Sequence, residues 1–425
     1  GTVSLASGAT QSGFGRTGTV DWDTTPKTGT VTAVTGKGYF VNTTGGAITV
    51  NLPAGAAGSI VAVSDYASTA DSNNIIVEAN GAELINADDG PYTISTKGLA
   101  VTLVYVDGTR GWKSVTGSDA DATGVTAAFI VATGGTPCSG AIVCTNYKVH
   151  TFTGPGTFCV SAVGNPAGSD TVDYLVVAGG GGSGSGCSGS SDGGGGGGAG
   201  GYRESSGTAS GCYTASPLGS GVTALPVSVT GYPITVGGGG PGSTNSTGNR
   251  GTDGNTSTFS TIDSAGGGAG GSRKISGGSG PIAPGNPGGS GGGGGSQGGA
   301  DGTGGIGNTP PVSPAQGFPG LDRASPNNQA GAGGGATAVG TIGPSGPTGN
   351  TGGAGATSSI NATPTARAGG GGSGAPSTGG TGGTGGGGTG TPTSPNVGTV
   401  NTGGGGGGGF GSTNGGAGGS GIVII

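Results

Sequence analysis

Side chains able to do chemistry are few in this chain. A hydrolase needs a positioned acid and base, or a nucleophile with a partner that activates it. His150 is the only histidine, and its setting in Lys148-Val149-His150-Thr151-Phe152 reads as a packed or solvated strand residue. Carboxylates are scattered: Asp65, Asp71, Glu78, Glu83, Asp88, Asp89 and Asp107 in one region, Asp192, Glu204, Asp253, Asp263, Asp301 and Asp322 beyond it. Asp88-Asp89-Gly90-Pro91 reads as a turn, because Asp tolerates turn geometry and Pro fixes the next φ. A calcium loop needs a denser series of oxygen ligands. Cleavage of a polysaccharide needs two facing carboxylates, a pair that only folding could assemble here. Gly179–Gly182 follows a strand-like segment, as a dinucleotide fingerprint would, but that fingerprint opens a helix and nothing helical follows. The five cysteines lie in no CxxC pair and beside no histidine cluster, so zinc is not expected. Cys138 and Cys144 can close a short disulfide loop and Cys187 with Cys212 a longer one, leaving Cys159 free. We therefore expect no catalytic residue, no metal and no cofactor. The sequons at Asn42, Asn245, Asn255 and Asn361 are of the number chance gives in so Ser/Thr-rich a chain.

The elements that would position any site divide the chain in two. Of its 117 glycines, 91 fall in residues 177–425. More than one position in three there lacks a side chain, so side-chain burial cannot hold that segment together. Either backbone hydrogen bonding holds it, or it is a disordered Gly/Ser linker. Charged residues are 8% and net charge is −6, which leaves no electrostatic footprint for nucleic acid. No run approaches ~20 consecutive apolar residues, so no membrane insertion is expected. No charged segment precedes an apolar stretch as in a signal peptide. The absence of methionine, position 1 included, reads as processing or as a fragment.

Residues 1–36 are threonine- and glycine-rich and read as a neck or linker. From Lys37, short β-branched runs recur between Gly, Asn and Pro turns: Tyr39-Phe40-Val41, Ala47–Leu52, Ser59–Val63, Asn74–Val77, Tyr92–Ile94, Val101–Val106 and Gly111–Val115. That spacing predicts a small antiparallel β domain over 37–117. Residues 118–147 read as a linker holding the Cys138/Cys144 loop. A hairpin turns at Gly154-Pro155-Gly156, the strand Val172–Val177 runs straight into glycine, and Gly421–Ile425 closes the chain as another strand. Strands bracketing a glycine-rich interior imply a small sheet that clamps both ends.

The interior is not uniform. Glycine runs (Gly193–Gly198, Gly237–Gly240, Gly291–Gly295, Gly369–Gly372, Gly403–Gly409) recur between loops carrying single aromatics such as Tyr202, Phe259, Phe318 and Phe410. A polyglycine II helix has three residues per turn, a rise of ~3.1 Å per residue and no internal hydrogen bonds, so every N–H and C=O points outward. Without Cβ atoms such helices can approach closely enough to bond in several directions, with Cα–H···O contacts adding to this. Glycine loses more backbone freedom on folding than any other residue, so only many helices bonding together could offset it. We read the segment as ordered. The fold expected is all-β with irregular structure, a β domain followed by packed polyglycine II helices over 148–425.

The succession His150–Phe158, Val172–Gly182, Gly200-Gly201-Tyr202-Arg203, Tyr232–Gly239, Ser257-Thr258-Phe259 and Gly418–Ile425 resembles the glycine-rich domain of phage tail proteins, common in phages of marine bacteria and cyanophages. The basic and aromatic ending usual after the last strand of that family is missing. Residues 37–117 are similar, less closely, to a small β domain of fibre shafts. The resemblance implies a non-enzymatic virion protein, a tail fibre or tail-tip adhesin, whose glycine-rich layer presents loops to a host glycan or outer-membrane protein. It also implies contact with other tail proteins and a homotrimer. Aromatic faces stack on apolar surfaces while Arg, Asn and Asp give directional hydrogen bonds. On those grounds Tyr202, Arg203, Tyr213, Phe318, Asp322, Arg323 and Arg367 are the receptor-binding candidates, although Phe318 could equally plug the edge of the layer and Tyr202 is better suited to plugging it than to binding. A subunit of a bacterial extracellular filament is the main alternative. An ice-binding face is a more distant one, and irregular loops argue against it.

Overall fold

In a computed structural model of the chain, residues 20–116, 128–144, 147–165, 168–186, 192–207, 213–244, 249–272, 283–297, 300–323, 329–344 and 347–425 are described. They are all-β and irregular, with no α-helix, and so no helix long and apolar enough to cross a membrane. The chain divides into two compact units, residues 1–128 with 164–169, and residues 129–163 with 170–425.

Among the described residues the first unit has nine strands: β1 (Asp21–Lys27), β2 (Val31–Thr32), β3 (Lys37–Val41), β4 (Ile48–Asn51), β5 (Ile60–Asp65), β6 (Ile75–Glu78), β7 (Tyr92–Ile94), β8 (Ala100–Asp107) and β9 (Gly111–Ser114). They form two sheets, β1-β3-β5-β8-β9 and β2-β4-β6-β7. The expected antiparallel pairing is only half of the picture: β1, β3 and β5 are mutually parallel, as are β2, β4 and β6. The reason is connectivity. Successive strands alternate between the sheets, so each returns to its own sheet running the same way, and antiparallel pairs appear only from β5·β8 and β6·β7 onward. Alternate residues of both sheets, among them Val41, Val50, Val63, Val77, Leu103 and Trp112, fill one core. Residues 21–36, expected as neck or linker, belong to this domain. β1 is an edge strand whose Pro26 and charges conceal it in the sequence, and its ion pairs Asp23–Lys27 and Asp21–Lys37 suit such an edge.

In the second unit the strands are β10 (Val131–Thr133), β11 (Ala141–Val143), β12 (Tyr147–Val149), β13 (Thr151–Phe152), β14 (Gly156–Ala162), β15 (Thr171–Val172), β16 (Leu175–Val177), β17 (Tyr202–Glu204), β18 (Leu225–Pro226), β19 (Gly231–Thr235), β20 (Ser257–Phe259), β21 (Ile262–Ser264), β22 (Ser296–Gln297), β23 (Ala300–Asp301), β24 (Ala356–Ser358), β25 (Thr365–Arg367) and β26 (Ile422–Ile424). β13-β26-β16-β17 make a clamping sheet and β10-β14-β19-β20-β21 a second one. Val131–Thr133, Ala141–Val143 and Tyr147, expected within the 118–147 linker, supply β10 to that second sheet and, with Lys148 and Val149, the β11–β12 pair. Period-two alternation buries both faces of the clamp. Val176 and Val423 join Phe158, Ile234 and Phe259 of the second sheet, while Leu175, Val177, Ile422 and Ile424 meet Tyr202, Ala199, Ala336 and Ala368 on the other face.

Strands of these sheets continue as glycine runs. β16 leads into 178–186, the run 192–201 leads into β17, and 414–421 leads into β26. The 192–201 run shows why the glycines order. Gly194, Gly197 and Gly200 donate to the carbonyls of Gly409, Gly406 and Gly403, and Gly195, Gly198 and Gly201 to Gly271, Gly268 and Ala265. Gly196 and Ala199 donate to Gly331 and Gly334. Its own carbonyls accept from Gly181 and Gly184, from Ser290 and Gly293, and from Gly371 and Gly374. A three-residue turn thus places six neighbours around one helix, three accepting and three donating, which is polyglycine II packing.

Each residue of such a run gains about one hydrogen bond, ~1 kcal/mol net, against ~1–2 kcal/mol of lost backbone freedom. A run alone cannot fold on that balance. The lattice holds because its helices are bonded to one another and anchored in two apolar cores. Glycine is required at the contacts: a Cβ on Gly196 would stand 2.2 Å from the Gly371 carbonyl oxygen.

Candidate functional site

Glu204 is the centre of the largest convergence of the expected site residues. It lies on β17 two residues after Tyr202, so both side chains leave the same face of the clamp. Tyr202 Oη donates to Glu204 Oε2 at 3.0 Å and Tyr213 Oη to Oε1 at 3.1 Å. The Ser216 amide and hydroxyl donate to Oε2 at 2.9 and 2.5 Å. Arg367, at the end of β25, is 4% exposed, with its Nε and Nη1 lacking a hydrogen-bond partner. Burial depresses the Arg367 pKa, against the opposing pull of Tyr202 and Glu204. Burial first, and the Glu204 charge second, push both phenols above their ordinary value.

With Tyr202 only 1% exposed, this cluster is a lock: it ties residues 213–216 to the clamp, and hydrogen bonds between Thr214 and Ser359 join the β24–β25 hairpin to the same segment. Its carboxylate accepts four hydrogen bonds and is buried, Glu204 being 2% exposed. Tyr202 and Arg367 are therefore not displayed for a receptor, because the alternation of β17 and β25 turns them inward. Arg323 is buried as well.

The remaining candidates do not converge with them. Arg203 is half-buried and reaches the Asp263 carbonyl at 3.4 Å. Phe318 is 36% exposed at the margin of the lattice. Asp322 is exposed, yet its Oδ1 accepts the Gly304 amide at 2.8 Å and so caps a neighbouring run.

Cys144 is disulfide-bonded, but Cys138 is free, so the expected Cys138–Cys144 loop does not form. Cys144 is engaged in a different bond, and the expected Cys187–Cys212 pair lies outside the described residues. Cys159 is free. His150 is buried, its Nδ1 2.8 Å from the Gly134 carbonyl and its ring edge-to-face with Phe158. Among the described residues no group of three His, Cys, Asp or Glu could hold a metal ion.

Two features escaped the sequence reading. Glu204 appeared there only as one of many carboxylates, although its i, i+2 relation to Tyr202 was visible. The margin of the lattice also repeats every three residues. Thr378, Thr381 and Thr384 are exposed along one run, Thr303 and Ile306 along another, Val339 and Ile342 along a third. Thr351 and Thr381 bridge adjacent runs through their hydroxyls at 3.1 Å. The T-x-x-T-x-x-T spacing of 378–384 was a readable signal of a threefold helix.

No curated protein matches the chain. The model of one family, described as a glycine-rich domain, matches residues 151–425, which spans the clamp from β13 to β26 and every run between them. Over well more than half of its length, the chain belongs to the glycine-rich domain family.

Proposed function

We propose that this is a non-enzymatic tail-fibre or tail-tip adhesin of a bacteriophage, in which the first unit joins a shaft or neighbouring tail protein and the glycine-rich unit presents turns to the host surface. The observation that carries the reading is the saturated lattice. Because its interior amides and carbonyls bond to one another, the turns between runs can vary without touching what holds the fold together. Those at 375–377, 391–395 and 411–413 leave the runs at the end remote from the clamping sheet. Loops on a rigid scaffold are where recognition concentrates. The resemblance in the sequence supports a virion location and a homotrimer. Glu204, the carboxylate on which the expected site residues converge, is occupied in holding two phenols, which suits a protein that binds and does not cleave.

A second reading, a subunit of an extracellular filament, draws on Ile306, Val339 and Ile342, exposed apolar residues at the lattice margin that would suit stacking between copies. Electron cryomicroscopy of the native assembly separates the two. Three chains at a virus tail with the remote turns exposed is the result expected. An open-ended polymer burying those turns would replace the adhesin with the filament.

A further inference from the structure

The first unit carries an aromatic row that its core does not use. Trp22 on β1 faces Gly38 on β3, and its ring fills the space a Gly38 side chain would take. Trp22 stacks on Phe40 with ring centroids 4.8 Å apart, and Phe40 meets Tyr66 edge-on at 6.5 Å. Trp22 is 37% and Tyr66 55% exposed, so large ring surfaces are held rigid in water.

A cleft opens where the chain leaves β3, lined by Asn42 and by none of the three rings. Asn42, two residues beyond Phe40 and in extended conformation, falls on the same side of the chain as Phe40. The Asn42 amide donates to the Lys27 carbonyl and the Tyr66 amide to the Val41 carbonyl, which fixes the row and the cleft to one another. Thr28, Thr30, Asn42, Thr44, Ala47 and Ile48, with glycines, line a cleft of about 430 Å³, inside the ~300–1,000 Å³ range of ligand sites. Nothing in its lining ionises. Asn42 Oδ1 accepts from Thr44, which leaves the Asn42 amide hydrogens and the threonine hydroxyls as the directional groups on offer.

Rigid aromatic faces beside uncharged hydroxyl and amide groups fit a ligand with apolar ring faces and a hydroxyl rim. A charged ligand would find no counter-charge in the lining, and Asp21–Lys37 and Asp23–Lys27 neutralise each other. Three side chains offer far less than the ~800 Å² per partner that a stable protein interface buries. We propose that Trp22, Phe40, Tyr66 and the Asn42 cleft form a binding site for a neutral oligosaccharide. Pyranose faces lie on the exposed rings while Thr28, Thr30 and Asn42 bond the hydroxyls. This goes beyond the adhesin reading, since it places carbohydrate recognition in the first unit, and it stands even if the glycine-rich unit binds nothing.

The full chain is screened against immobilised neutral tri- to hexasaccharides built from glucose, mannose, galactose and N-acetylhexosamines. Trp22 fluorescence serves as the second readout, because the other tryptophan, Trp112, is fully buried. Binding by at least one class is expected. Trp22→Ala and Tyr66→Ala should each weaken it about tenfold with the melting temperature of Tyr66→Ala unchanged. Trp22 covers Gly38 and its loss could unfold the edge, so Tyr66→Ala, an exposed side chain, carries the test if Trp22→Ala does not fold. Absence of binding across the panel overturns the proposal, as does binding that Tyr66→Ala leaves unchanged. So does a self-association in sedimentation that Tyr66→Ala dissolves, which would give the row to a second copy of the chain.

Discussion

At the scale of single residues, one atom decides whether the lattice can pack. A Cβ on Gly196 meets the Gly371 carbonyl oxygen, whereas one on Gly154, in the turn between β13 and β14, which join different sheets and do not form the expected hairpin, meets nothing within 4 Å. Gly196→Ala should therefore destabilise the second unit by about 3 kcal/mol in urea unfolding, because the lattice has no flexible side chain to give way. Gly154→Ala should stay within about 0.5 kcal/mol. Equal effects would mean the runs are not packed at the distances described. Tyr202 makes a different test. Its phenol pKa is raised by burial and then by Glu204, so the fold holds the neutral form while the unfolded chain ionises near pH 10. Its contribution is complete below that pH and is lost as pH rises further. Tyr202→Phe should be less stable than the parent at pH 8, by about 1 kcal/mol for the lost hydrogen bond, and should lose stability less steeply between pH 10 and 11.5. Parallel curves for the two proteins would remove Tyr202 from a buried lock.

At the scale of elements, β26 is the keystone, since it pairs with β13 on one side and β16 on the other. Val423 is fully buried among Phe158, Ile234 and Phe259. Val423→Asp should cost about 4 kcal/mol or more, the penalty of an unpaired carboxylate in an apolar core. It should abolish the unfolding transition of the second unit and leave that of the first; survival of both would show that the clamp does not hold the lattice. The clamp was legible in the sequence because Leu175–Val177 and Gly421–Ile425 are apolar runs abutting glycine, although the expected strand Val172–Val177 breaks at Asp173-Tyr174 and Val172 pairs elsewhere, in β15 with β18; the strands of the first core were legible too. β1 was not, since an edge strand needs no apolar pattern, and Asp21, Asp23, Pro26 and Lys27 look like linker. The parallel order of β1, β3 and β5 was hidden as well, because strand spacing says nothing about which sheet a strand returns to. Tyr202 and Arg367 looked displayed because short polar segments between glycine runs resemble loops. Only the pairing of β17 with β16 and of β24 with β25 shows that their side chains turn inward.

At the scale of the whole molecule, the glycine-rich unit behaves as one hydrogen-bonded body in which the three-residue repeat sets what is inside and what is at the margin. A Gly/Ser chain of the same composition without that lattice would be a flexible linker, unable to hold any loop in place for a partner. Hydrogen–deuterium exchange on the intact chain, read residue by residue, tests this most directly. Amides of residues 194–201 all have carbonyl partners, while along the marginal run Gly380 and Gly383 are bonded and Thr381 and Thr384 are not. The amides of 194–201, 267–271 and 403–409 should exchange slowly and together with those of β16 and β26, with a period of three at 380–384, slow at the glycines and fast at the threonines. Exchange of the 194–201 amides within seconds, while β1–β9 stay protected, would show a disordered linker and contradict the lattice on which the proposed display of turns depends.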